Sequence, residues 1–158
     1  MSFSHAKDPS PPFSSWPLQF SDPDVGFAWY VGKGIIVTQA SATHGTVRVA
    51  TVVSDWIDEL RERHHEEFDR FGGVLGIHDW RRIRTYESDA RKVWVERINK
   101  RPPGYLRKAV VIVGDSPLLK MAVAGANMFL AVASRNDGRI EVATNVYQIL
   151  NKYLPNHD

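Results

Sequence analysis

From Val25 to Leu154 the apolar positions change rhythm several times, and each change marks an element. Val25 to Gly32 reads VGFAWYVG and alternates, with Phe27, Trp29 and Val31 on one face, which predicts a strand. Gly32-Lys33-Gly34 then predicts a tight turn in which the glycines take the positive φ angles. Ile35 to Ala40 continues as a second strand, so the pair forms an antiparallel hairpin. From Thr46 to Phe71 the spacing lengthens to three and four: Val49, Val52, Val53, Trp56, Ile57, Leu60, Phe68 and Phe71 predict one long helix. Val74 to His78 is a short apolar run behind a glycine pair and predicts a buried strand.

A second helix is expected from Ser88 to Asn99, with Ser88 or Asp89 as its cap and Arg101-Pro102-Pro103-Gly104 as its stop. Leu106 to Val113 (LRKAVVIV) is apolar without alternation, the pattern of a strand covered on both faces. Ser116 and Pro117 open a third helix from Leu118 to about Ala133, apolar nearly all round and rich in small residues. Arg139 to Ala143 is a last strand, and a helix capped by Thr144 closes the chain at Pro155. A hairpin followed by alternating strands and helices predicts an α/β fold with a mixed central sheet and about four helices. Residues 1–20, rich in Ser and Pro, read as a flexible tail, and residues 21–155 as a single domain. Phe13 and Trp16 are unusual for a tail; they either pack back on the domain or offer aromatics to a partner.

Composition narrows the chemistry. At 158 residues, 43% hydrophobic and 24% charged, the chain suits one globular domain with its own core. It has no cysteine, which excludes disulfides, thiol catalysis and zinc-thiolate sites. No apolar run reaches the roughly 20 residues of a membrane span, and the N-terminus has no apolar core of a secretory signal, so a cytoplasmic location is expected. The net charge of +2 conceals two opposed blocks. Arg81 to Lys108 holds ten bases against three acids, while Asp55 to Asp69 holds seven acids against two bases. Such blocks either steer an acidic partner or form two helix faces of opposite sign lying side by side.

Candidate chemistry gathers between Gly72 and Arg91 (GGVLGIHDWRRIRTYESDAR). Asp79 follows the strand end, an arginine-rich loop comes next, and Ser88 opens a helix. In open α/β sheets ligands and partners collect at such loops. His64-His65-Glu66-Glu67 offers side chains at ligand spacing, but no second element supplies the remaining ligands, so no metal and no cofactor is expected. His78 and Asp79 are strand neighbours that point to opposite faces, so with Ser88 they do not form a hydrolase triad. No catalytic residue is assigned.

The letters Asp79, Trp80, Ile83, Tyr86, Glu87 and Ser88, set on that element order, resemble the STAS family in its SpoIIAA-like, anti-sigma factor antagonist-like branch. Arg81 stands where the signalling members carry a first serine, and Ala90-Arg91 where they carry Gly-Leu. The resemblance implies a non-enzymatic regulatory module that binds a protein or peptide through the loop after the Val74–His78 strand and the helix from Ser88. Ser88, with Asp79 and Glu87, would be the phosphoacceptor or partner surface; the alternative is that Ser88 is a helix cap and Asp79 an acid held by loop amides or an arginine. A second reading is a ligand- or peptide-binding accessory protein with a Sec14-like pocket, possible contacts being Trp80, Arg81, Arg82, Arg84, Tyr86 and Arg91, for a small amphipathic ligand. The helix from Leu118 to Ala133 suggests a homodimer. Nucleic-acid binding is not expected, since the basic stretch follows no recognition motif.

Overall fold

A computed structural model describes residues 16–114 and 139–154, with Pro117, Lys120 and Met121 between them. Six strands form one mixed sheet: β1 (Leu18–Asp22), β2 (Gly26–Tyr30), β3 (Ile35–Ala40), β5 (Val74–Trp80), β7 (Leu106–Val113) and β8 (Arg139–Ala143), in that spatial order. β2 runs antiparallel to its neighbours β1 and β3, and β3, β5, β7 and β8 run parallel. Among the described residues the full-length helices are α1 (Val47–Arg63), α2 (His65–Arg70), α3 (Ser88–Lys100) and α4 (Val146–Tyr153). Two residues of β4 (His44–Gly45) pair with two of β6 (Thr85–Tyr86) in a separate parallel ribbon. The expected mixed α/β architecture is therefore present. Of the helix expected at 118–133 only Lys120 and Met121 are described, both helical, and the dimer surface argued from it lies outside the described residues.

The alternation along each strand sorts its side chains between two cores. Val37, Leu75, Ile77, Val110 and Ile112 face one side, where α4 lays Val146, Ile149 and Leu150 on them. Val25, Ile36 and Val74 face the other, under Val49, Val53, Ile57 and Leu60 of α1. β5 is central and buried along nearly its whole length, as its unbroken apolar run requires. The hairpin turn takes the expected form, with φ +84° at Gly32 and +72° at Gly34. Lys33 between them is also left-handed at +56°, and its N–H donates to the Glu67 carboxylate at 2.7 Å, which holds the turn.

Three expectations change. The sheet begins earlier than a 1–20 tail allows: Trp16 is buried in the α4-side core and β1 pairs with β2 from Leu18. The prolines around this stretch mask a strand whose partner lies only a few residues on. The long helix is broken at His64, which leaves helical geometry (φ −118°, ψ 30°) and stacks on Tyr30 with ring centres 4.2 Å apart. Tyr30 also donates its hydroxyl to Glu67, so the break turns α2 onto the hairpin. At the other end of the chain Asn145, not Thr144, caps α4, its Oδ1 accepting from the Gln148 N–H at 3.1 Å.

The opposed charge blocks meet. Arg97 of α3 reaches both Asp55 and Asp58 of α1 at 2.7 Å, and Arg101 reaches Asp58 at 3.1 Å. Tyr105 donates its hydroxyl to the same Asp58 carboxylate. Burial opposes ionisation of Asp58, but these donors outweigh it and hold its pKa below the usual carboxylate range.

Candidate binding site

β5 extends two residues beyond the predicted strand, to Trp80, and this places Asp79 inside the sheet. Its side chain points to the α4 face and is only 3% exposed. The carboxylate accepts from Arg81 Nε and Nη2, each at 2.8 Å, from the Arg81 backbone N–H at 3.2 Å, and from Gln39 Nε2 at 3.3 Å. A buried carboxylate requires such pairing. Asp79 is thus the acid held by a neighbouring arginine, and it anchors the start of the loop at Arg81.

The far end of the loop is tied as well. β6 pairs with β4, the Glu87 N–H donates to the Gly45 carbonyl at 2.9 Å, and His44 Nδ1 lies 2.5 Å from Thr85 Oγ1. A side chain at Gly45 would meet Tyr86 at 2.7 Å, so only glycine lets the two segments close up. Glu87 is consequently the last extended residue, and it, not Ser88 or Asp89, is the cap position of α3. Its carboxylate turns across to the Val47 N–H at 3.0 Å, the first residue of α1. Thr46 completes that helix start by accepting from the Val49 N–H at 3.1 Å. The N-termini of α1 and α3 therefore lie side by side. Ser88 is the first residue of α3 and is exposed, as are Arg82, Arg84 and Arg91.

On the opposite face of β5, Val74, Gly76, His78 and Trp80 look toward α1 and α3. Here an apolar cavity of about 90 Å³ opens between the sheet and the two helices. His78, Trp80, Ile83, Tyr86, Trp94 and Arg91 line the side nearest the loop. The indoles of Trp80 and Trp94 lie 5.4 Å apart, and His78 sits 6.1 Å and 6.3 Å from them. His78 is 6% exposed, and its Nδ1 lies 2.7 Å from the hydroxyl of Thr38, directly opposite on β3. Burial pushes the imidazole pKa down to about 4, with the charge of Arg101 acting in the same direction. The ring is neutral at neutral pH.

The residues singled out in the sequence divide between two places. Trp80, Tyr86 and Arg91 border the cavity, whereas Asp79 and Arg81 pair with each other on the other sheet face and Arg82, Arg84, Glu87 and Ser88 lie on the rim. His78 and Asp79 diverge and bond separate partners. His64 and Glu67 serve Tyr30 and the hairpin turn. Thr38 and the cavity behind His78 were not anticipated. The signal is a glycine two residues before a histidine in a buried strand, since Gly76 leaves room for the ring: a side chain there would approach Nε2 to 2.6 Å.

The chain matches no protein-family model, no curated protein and no solved structure. No described helix is long and apolar enough to cross a membrane.

Proposed function

We propose that this chain is a non-enzymatic interaction module of STAS type, acting in the cytoplasm, that docks a partner protein or peptide on the rim from Arg81 to Arg91. The observation that carries this reading is a loop fixed at both ends. The Asp79–Arg81 pair holds one end and the β4–β6 ribbon the other, while Arg82, Ser88 and Arg91 stay exposed between and beyond them. A rigid, exposed rim binds at low entropic cost. Ser88 follows Asp79 at the distance of the family pattern and opens the next helix. A phosphate there would bring about two negative charges to a helix N-terminus, where the exposed amides favour an anion. A protein partner suits the surface better than nucleic acid, because Arg97 and Arg101 of the basic stretch are already engaged by α1.

The test places a photo-crosslinking residue at Arg82 and, separately, at Gln148, an exposed position of α4. Discrete adducts from position 82 in the host cell, and none from 148, are the expected result. Equal or absent adducts at both would remove the rim from consideration. If the partner is a kinase, a phosphate-dependent gel shift should vanish in Ser88→Ala.

The cavity favours a second reading, a ligand-binding accessory protein. Its aromatic walls and interior position are those of small-molecule sites, which are concave and mostly apolar with a few placed polar groups.

A further inference from the structure

One polar atom that would orient a ligand in this cavity can be identified. Thr38 is 2% exposed, and its hydroxyl hydrogen needs an acceptor. Among the described residues its side chain bonds to His78 Nδ1 alone. The hydroxyl therefore donates to Nδ1, and in a neutral imidazole the remaining hydrogen sits on Nε2. With Nδ1–H instead, the hydroxyl hydrogen would be sealed inside the sheet without a partner, at a cost of about 1–3 kcal/mol, whereas Nε2–H faces a cavity in which an acceptor can reach it. Nε2–H points over Gly76 into the cavity, and among the described residues it has no acceptor.

We propose that the cavity takes a small, uncharged, largely apolar molecule carrying one acceptor oxygen, and that His78 Nε2–H donates to that oxygen. The inference rests on the ligand-binding reading, not on the docking rim. The walls set the class of molecule. Trp80, Trp94, Ile83 and Val111 offer apolar and aromatic surface, and the charge of Arg101, which also lines the cavity, is already balanced by Asp58 at 3.1 Å, although its Nη2 makes no hydrogen bond. A carboxylate would have to shed its water for a neutral imidazole, a poor exchange. A carbonyl sheds little and gains a bond that otherwise goes unmade. Trp80, Ile83 and Tyr86 belong to the strand end and loop as well as to the cavity, so an occupant touches the underside of the rim.

Two probes of equal shape test this in the full chain: cyclohexanone, and methylenecyclohexane, in which a CH2 group replaces the oxygen. Calorimetry gives the affinities, and ¹⁵N-histidine spectra follow the Nε2–H signal. Cyclohexanone is expected to move that signal saturably and to bind about fivefold or more tighter than the hydrocarbon, the worth of one buried hydrogen bond. His78→Phe should erase the preference, and Ala109→Leu, which fills the cavity from β7, should abolish both bindings. Equal affinity of the two probes would overturn the role of His78 while leaving a ligand cavity. Binding of neither would overturn both, leaving a site occupied by water. If His78→Phe does not fold, the wild-type probe pair and Ala109→Leu still decide.

Discussion

Between pH 6.5 and about 4 the unfolded chain takes up a proton at His78 that the folded chain refuses. The folded-state pKa is the lower of the two, so this contribution is intact above pH 6.5 and is lost as the pH falls. The loss is on the order of 3 kcal/mol if the whole interval is crossed. Urea denaturation at pH 7 and pH 4 measures it, and His78→Gln should flatten the difference. Gly76→Ala attacks the same ring sterically. Its methyl would stand 2.6 Å from Nε2, so the imidazole must leave Thr38. A cost of about 2 kcal/mol is expected from strain and the broken hydrogen bond, read as a lower melting temperature. Arg81→Lys keeps the charge beside Asp79 but loses the fork that binds both carboxylate oxygens, and should cost about 1–2 kcal/mol in the same assay.

At the scale of elements, the contact between α1 and α3 converges on Asp58, which serves Arg97, Arg101 and Tyr105 at once. Asp58→Ala leaves Arg97 with Asp55 but deprives Arg101, whose side chain is 9% exposed. About 2 kcal/mol of stability should be lost, a value moderated by the partial exposure of Asp58. Hydrogen exchange in α3 should quicken before that in β5. The helices and most strands could be read from the chain because each carries its own period: LRKAVVIV and the three-to-four spacing of α1 need no partner to be recognised. The break at His64 could not, since it depends on Tyr30 and Glu67 meeting across the hairpin. The same limit hid the cavity. Thr38 and His78 come together only through the parallel register of β3 and β5, and no local pattern specifies that register.

Taken whole, the sheet is bounded on one side by β1, and its first described residue, Trp16, is embedded in the α4-side core. Trp16→Ala should cost about 3 kcal/mol through the cavity it leaves. Removing residues 1–22 should do more, exposing the backbone edge of β2 and promoting aggregation visible by light scattering. The split of the sequence-derived residues has its counterpart at this scale: the arginine-rich loop was found from composition, but which of its side chains face outward is decided by the burial of β5.

The spatial order β1-β2-β3-β5-β7-β8 is also the order of synthesis. Each new segment leaving the ribosome finds its neighbour already made, and none must wait to be threaded between earlier ones. Such a molecule can grow from one flank outward while translation continues, beginning with a meander whose pairings are all local.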